Sequence, residues 1–292
     1  MNILTFDIED WYIEKKFHHN EKWKYEKYDI VLNNILNLLD EHSIKATFFC
    51  LGVLADEFPH VIKSIEARGH EIGCHSNYHN WITTMTPQEF RQDTRNAIES
   101  LEQLIGKKIK SYRAPAFSIG ETNKWAFEIL SECGIENDAS IFPGNRDFGG
   151  FPAFKGKDCP CRLNLNGSSI NEFPITLTTI PIIGKRIAYS GGGYFRLLPL
   201  NFVKSVIRKS DYTMCYFHIA DLLDFKNKLH TKEEYELYFK EAGTLKKRLT
   251  RYLKSNIRRK YAFKGLKSLV ETFEFSSIED ASKHLNLPSI YI

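Results

Sequence analysis

The sequence predicts an α/β fold, a parallel sheet or barrel with helices packed outside it. Strand-length apolar runs alternate with helix-period segments from Asn2 to Asp138, and such alternation is the pattern of parallel strands joined by helical crossovers. Polar clusters stand at the ends of the runs: Asp7-Ile8-Glu9-Asp10, His75-Ser76-Asn77-Tyr78-His79, Arg113-Ala114-Pro115, Asp138 and His218. In this architecture ligands bind at the C-terminal strand ends. Composition agrees with a packed domain. Hydrophobic residues make up 42% and charged residues 26% of the 292, which excludes disordered, collagen-like and coiled-coil chains.

Asn2 to Asp7 reads as a buried strand ending in acids. Asp29 to Ser43 carries Ile30, Leu32, Ile35, Leu36, Leu38 and Leu39 at near-helical spacing, a helix packed on a sheet. Lys45 to Leu51 is the next strand, and Phe58 to Arg68 a helix stopped by Gly69. Glu71–Cys74 is again strand. Thr86-Pro87-Gln88-Glu89 combines a cap, a first-turn proline and a capping-box glutamate, so the helix runs from there to Ile105, ended by Gly106. A strand at Ser111-Tyr112, a helix over Thr122–Cys133 and a strand over Ile135–Asp138 complete the alternation. Asn145 to Ser169 reads as loop, Glu172 to Ile183 as strand, Ser190 to Phe195 as a glycine turn and Asp211 to Phe217 as strand. From Thr231 the chain is helical and basic. A single domain is expected, with a core over 1–225 and a helical extension packed on it over 226–292.

The 40 Lys and Arg against 36 Asp and Glu leave a net charge of +4, too little to argue for nucleic acid. No run of apolar residues is long enough to cross a membrane. The start lacks a basic segment followed by an apolar one, so a cytoplasmic protein is expected. The cysteines sit mostly in apolar strand-like surroundings, which suits reduced thiols. Cys159-Pro-Cys161 has no second pair of ligands beside it and is not taken as a zinc site.

His75 and His79 can both face one metal ion. A third, carboxylate ligand would leave positions open for water and substrate, the catalytic rather than the structural pattern. Asp7 and Glu9 share a strand face while Ile8 points away, and Asp10 follows. One of these acids can bind the ion while another acts as general base. Arg113, held extended before Ala114-Pro115, can keep Asp7 ionised through a bidentate pair. His218 ends an apolar strand, with Asp221 close behind, and can act as a general acid. Phe117, Trp81, Tyr194 and Trp11 are candidates for stacking on sugar rings. Gly191–Gly193 either lets backbone approach a substrate or makes a tight turn.

Taken in order, Thr5-Phe6-Asp7, His75-Ser76-x-x-His79, Arg113-x-Pro115, Asp138-Ala139-Ser140 and His218 resemble the NodB-homology polysaccharide deacetylases, carbohydrate esterase family 4. Lys45-Ala46-Thr47-Phe48-Phe49 and Gly69-His70-Glu71-Ile72-Gly73 look like that family too. Glu172-Phe173-Pro174, Gly191 to Pro199 and Gly265-Leu266 are similar to the subgroup found with exopolysaccharide loci. The resemblance implies a distorted (β/α) barrel, here with a helical basic C-terminal segment. It also implies metal-dependent removal of N-acetyl groups from an amino sugar, in a polymer or in a lipid-linked or nucleotide-linked precursor. It casts Asp7 as base, Arg113 as the group that positions it, His218 as acid, and His75 and His79 as ligands. The third ligand is Glu9 on the shared face, with Asp10 as runner-up. The ion is zinc first, with cobalt, nickel or manganese also suited. Pro115, Phe117, Asp138 and Tyr194 become the substrate-binding set. The family pattern has two adjacent aspartates where this chain has Asp7-Ile8-Glu9-Asp10, and a second aspartate after Asp138 is missing. Asp138 or Asp221 is then the acid partner of His218.

Three other readings stand beside this one. The first is a metal-dependent hydrolase of a small non-sugar amide or cyclic imide. The second is a non-catalytic carbohydrate-binding protein with a relic metal site. In the third, the basic Lys246–Lys260 stretch contacts a membrane surface or nucleic acid.

Overall fold

The computed structural model describes residues 1–18, 20–146, 149–180, 184 and 186–292. Strand β1 (Asn2–Ile8) alternates its faces: Leu4, Phe6 and Ile8 pack toward the helices, and Ile3, Thr5 and Asp7 turn inward. Helices α1 (Asp10–Phe17) and α2 (Lys22–Glu41) follow. The second starts well before the expected Asp29, because its first turns carry aromatics that find partners. Tyr28 meets Trp11 edge-on at 5.4 Å and Tyr25 meets Phe58 at 5.2 Å.

Next come β2 (Thr47–Cys50), α3 (Leu54–Glu57), α4 (Pro59–Glu66), β3 (Glu71–Cys74), α5 (Pro87–Ile105), β4 (Ser111–Tyr112), α6 (Trp125–Glu132) and β5 (Asn137–Asp138). The cap of α5 is built as its sequence predicts. Thr86 Oγ1 accepts from Glu89 N–H, the Glu89 carboxylate accepts from Thr86 N–H, and Gly106 closes the helix at φ 68°. The expected loop after β5 instead holds a hairpin, β6 (Cys161–Asn164) and β7 (Ser169–Glu172). Its signal was present as alternation, since Cys161 and Leu163 are buried and Arg162 is exposed.

Strands β8 (Thr178–Thr179) and β9 (Arg186–Ile187) form a small separate sheet. The expected strand over Glu172–Ile183 is therefore only partly strand, and its last residues lie outside those described. Helices α7 (Gly192–Leu197) and α8 (Leu200–Lys209) precede β10 (Thr213–His218). The chain ends with α9 (Lys232–Phe239), α10 (Leu245–Asn256), α11 (Ala262–Val270), α12 (Ile278–His284) and a last strand, β11 (Ser289–Tyr291).

The main sheet runs β10-β1-β2-β3-β4-β5-β7-β6-β11, with every pair parallel except β6 and β7. Between β7 and β10 no ladder joins the described residues, and the wall closes through single hydrogen bonds. Tyr212 Oη donates to Pro174 O at 2.9 Å, Met214 N–H donates to Thr176 Oγ1, and Ser190 Oγ donates to Met214 O at 2.7 Å. The result is a distorted barrel whose interior is filled by Phe49, Phe117, Phe142, Phe173, Tyr212 and Met214. After α11 the chain returns under β1. Ser276 bridges Ile3, and Ile278 N–H donates to Thr47 Oγ1.

Register places the polar clusters at one end of the barrel. Asp7 lies beside His218 across β1 and β10. Cys50, Cys74, Tyr112 and Asp138 align across the neighbouring strands, so His75 and Arg113 emerge one residue later on the same rim.

Gly191 is required where it stands. A Cβ there would overlap the Tyr216 carbonyl and lie 2.6 Å from its ring. The close approach is to the protein's own β10, which answers the two readings the sequence left open.

Candidate metal centre

Glu9 sits one residue past β1, at the N-terminus of α1. Its Oε2 lies 2.8 Å from His79 Nε2 and 3.1 Å from His75 Nε2, and ligand atoms of the three residues all lie within 4.8 Å of one another. The imidazoles are not on a helical turn. They are joined by a loop in which Ser76 (φ 70°) and His79 (φ 58°) are left-handed. Such backbone is costly without glycine, and it concentrates at functional sites. His75 Nδ1 lies 2.7 Å from the Arg113 carbonyl, which only accepts. The proton is therefore on Nδ1 and the Nε2 lone pair is free to ligate. Burial opposes a charge on Glu9, but the His79 and His218 imidazoles beside it outweigh burial and hold its carboxyl well below the usual range. Two imidazole nitrogens and an ionised carboxylate oxygen are a donor set suited to a borderline divalent cation.

Asp10 does not join this set. Its Oδ2 accepts from Ala220 N–H at 3.0 Å. Burial, with the Glu9 charge beside it, pushes its carboxyl up to about 7, so it offers a poorer ligand than Glu9.

Asp7 and His218 flank the cluster. Asp7 Oδ1 accepts from Arg113 Nη1 at 2.8 Å, and the same nitrogen donates to Thr5 Oγ1 at 2.8 Å. The pair is one-pronged rather than bidentate, because Arg113 Nε donates to Ala139 O and Nη2 points at Met214 Sδ. The other Asp7 oxygen lies 3.8 Å from His218 Nε2, which is also 3.7 Å from Glu9 Oε1. His218 Nδ1 is 2.9 Å from Asp221 Oδ2. Asp221 is thus the acid partner of His218, and Arg196 Nη1 in turn donates to Asp221 Oδ1. Burial works against a charged imidazole at His218, but the carboxylates of Glu9, Asp221 and Asp7 outweigh it and raise its pKa well above the ordinary range.

Residues 3–137 match the polysaccharide deacetylase family, and residues 139–283 match a domain of unknown function, DUF3473. The first of these segments, just under half of the chain, is similar to known polysaccharide deacetylases. It is 39% identical over 95 residues to a peptidoglycan-N-acetylglucosamine deacetylase of Bacillus cereus, covering 32% of this chain and 34% of that one. It is 30% identical over 98 residues to a chitooligosaccharide deacetylase of Azorhizobium caulinodans, covering 33% of this chain and 44% of that one. The chain spans roughly a third of the length of the first of these. Among solved structures, a Mycobacterium smegmatis protein provisionally described as a polysaccharide deacetylase superposes with a TM-score of 0.62 at 17% identity, over 99% of this chain and 92% of that one. A CE4 family pseudoenzyme from Bacillus anthracis gives 0.51 at 14% identity, over 100% of this chain and 69% of that one. Both show the shared fold.

The two matched segments place the expected substrate-binding residues unevenly. Tyr194 is half-buried and lines an open cleft. Phe117 is buried, packed edge-on against Tyr216 at 5.2 Å and beneath the Arg113 guanidinium, so it shapes the wall rather than stacking on a ligand. Pro115 is buried as well. Asp138 is fully buried and has no surface to offer. Its Oδ1 accepts from Ser140 Oγ at 2.6 Å, and Ser140 Oγ accepts from Ala114 N–H at 2.8 Å. Asp138 therefore supports the Arg113 loop from behind. Trp11 is fully buried, with its indole N–H on Asp29, and Trp81 is buried too.

Three further residues bear on the cluster. Arg196 fixes Asp221, and its signal was an arginine beside the glycine run. Tyr238 stacks on the His79 ring with centroids 6.4 Å apart, and sequence gave no sign that α9 reaches so far back. Glu172 accepts from Ile141 N–H at 3.1 Å and shares a hydrogen bond with Asp138. Burial, then the neighbouring Asp138 charge, raises the Glu172 pKa well above the carboxylate range, and burial raises Asp138 as well.

The folded pair thus keeps a proton that the unfolded chain releases above a pH of about 4.3. Stability is then lost progressively as pH rises from there toward the raised folded value. Glu172→Gln keeps the acceptor for Ile141 and donates to Asp138. Its melting temperature should gain on the wild type steadily from pH 5 to 9, with a flatter profile. Parallel profiles would show that the pair does not hold the proton.

Proposed function

We propose that this chain is a metal-dependent hydrolase that removes an N-acetyl group from an amino sugar in a polysaccharide or its precursor. The observation that carries the reading is the Glu9, His75 and His79 cluster with Asp7 on one flank and His218 on the other, each held by its own buried or half-buried partner. The relatives that act on peptidoglycan and chitooligosaccharides support the substrate class. The Glu172–Pro174, Gly191–Pro199 and Gly265-Leu266 segments support an exopolysaccharide or its precursor within it.

Glu9, His75 and His79 would hold the ion, zinc in the first place. When bound, it supplies Lewis-acid polarisation of the acetamide carbonyl and of the attacking water. Asp7, kept in place by Arg113, takes the proton of that water as it attacks the carbonyl carbon. The developing oxyanion needs a donor from the protein. The Arg113, Ala114 and Phe117 amides already donate to Cys74 O, Ser140 Oγ and Ala114 O, and Pro115 has none. The remaining amide of this loop is that of Ala116, held left-handed at φ 54°, and it is assigned as the donor. His218, protonated under the influence of its carboxylate neighbours, gives its proton to the leaving amine. Acetate release from N-acetylchitooligosaccharides by the zinc-loaded protein tests the reading. Intact metal binding with no acetate released from any N-acetylated amino-sugar polymer or precursor would reduce it to a binding protein.

The α10 surface supports a membrane contact as part of the same function. Leu245, Leu249 and Leu253 are all exposed at four-residue spacing, and Lys246, Lys254 and Arg258 flank them. An amphipathic helix of this kind lies on anionic bilayers. Vesicles containing phosphatidylglycerol should pellet the protein at low salt and release it at high salt, whereas neutral vesicles should not. Equal recovery with both would dismiss the contact.

A further inference from the structure

A cleft of about 340 Å³ opens beside the catalytic end of the barrel, and the proposed reaction leaves it unused. Arg146, Arg186, Arg251 and Lys254 line it, and none of its described lining residues is acidic. Surface cations are ordinarily interleaved with acids, so four converging on one concavity raise the local potential.

Two of the four are anchored. Arg186 Nη1 donates to Pro143 O and Nη2 lies 3.4 Å from Asp158, while Arg251 Nε donates to Tyr235 Oη and its guanidinium covers the Phe239 ring at 4.0 Å. The other two have no carboxylate partner among the described residues. The Arg146 guanidinium rests on the rings of Phe117 and Phe142, 4.9 Å from each centroid, a seat that orients it without neutralising it. Lys254 projects from α10 and is exposed.

The cleft is continuous with the reaction site. Tyr216, one of its walls, stands two residues before His218 on β10, on the same strand face, and the two rings are 6.3 Å apart. Phe117, which carries Arg146, packs on that same tyrosine. Tyr194, from the expected substrate-binding set, completes the wall.

We infer that this cleft is an anion subsite and that the physiological substrate carries an oxyanion, a phosphate or a carboxylate, close to the N-acetylated sugar. The inference rests on the deacetylase reading for the role of its neighbour, but not for the binding itself. Guanidinium groups pair bidentately with either anion. The source is a diphosphate in a nucleotide- or lipid-linked precursor, or a uronate in an acidic polymer.

Titration calorimetry on the zinc-loaded full chain decides between them. UDP-N-acetylglucosamine, an N-acetylglucosamine–glucuronate tetrasaccharide and neutral tetra-N-acetylchitotetraose are the probes. At least one anionic probe should bind about tenfold or more tightly than the neutral one, with the advantage shrinking as salt is raised. The probe that gains identifies the source. Arg146→Glu and Lys254→Glu should each bring the ratio of anionic to neutral affinity down about tenfold, the scale of one charge-assisted contact. Equal affinity for all three probes, or a ratio untouched by both variants, overturns the subsite. Anion preference with no acetate released from any N-acetylated amino-sugar polymer or precursor would retain the subsite and sink the hydrolase.

Discussion

Asp7→Asn is expected to lower kcat for acetate release by about 10²–10⁴, the usual worth of a positioned base, with metal content unchanged. The substitution isolates the chemistry from the structure. Asn keeps an oxygen to accept from Arg113, which is fully buried and 2.8 Å away. What it loses is the ability to take a proton. Arg113→Ala is a poorer test, since it strands the Asp7 carboxylate in the interior. Breaking a buried pair in that way typically costs ~3–5 kcal/mol, and the loss of activity would be mixed with unfolding. Full activity in Asp7→Asn would remove this residue from the mechanism.

His79→Ala is expected to abolish activity by removing the ion itself. The donor set falls to one imidazole and one carboxylate, and Tyr238 loses the ring on which it stacks. Elemental analysis after dialysis should show a wild type near one zinc per chain and a variant near none. His75→Ala should behave alike. Unchanged metal content in His79→Ala would overturn the ligand assignment, whatever the activity.

Much of this site was legible in the sequence because parallel strands deliver their last residues to a common rim. Asp7, His75, Arg113 and His218 each stand at or just past the end of a strand, and the register aligns those strands. Period-two alternation favoured Glu9 over Asp10, and it is the Glu9 carboxylate that stands against both imidazoles. The cap of α5 was readable because Thr86, Pro87, Glu89 and Gly106 act within their own turns.

What escaped depends on contacts far apart in the chain. Nothing local says that Asp138 would pair with Glu172 and turn its back on the site, or that Tyr238 would reach His79. The aromatics expected to meet sugar were large enough to be core instead, as Trp11 and Phe117 are. The β6–β7 hairpin was hidden by loop-like composition around four-residue strands. The start of α2 was set by tertiary stacking of Tyr25 and Tyr28, which propensity does not weigh.

The most direct measurement is anomalous scattering from crystals of the zinc-loaded protein, collected across the zinc edge. The account predicts a single strong peak within bonding distance of Glu9 Oε2, His75 Nε2 and His79 Nε2, with Asp7 and His218 facing it. A fully loaded crystal with no peak there, or with the ion held by other residues, would contradict it.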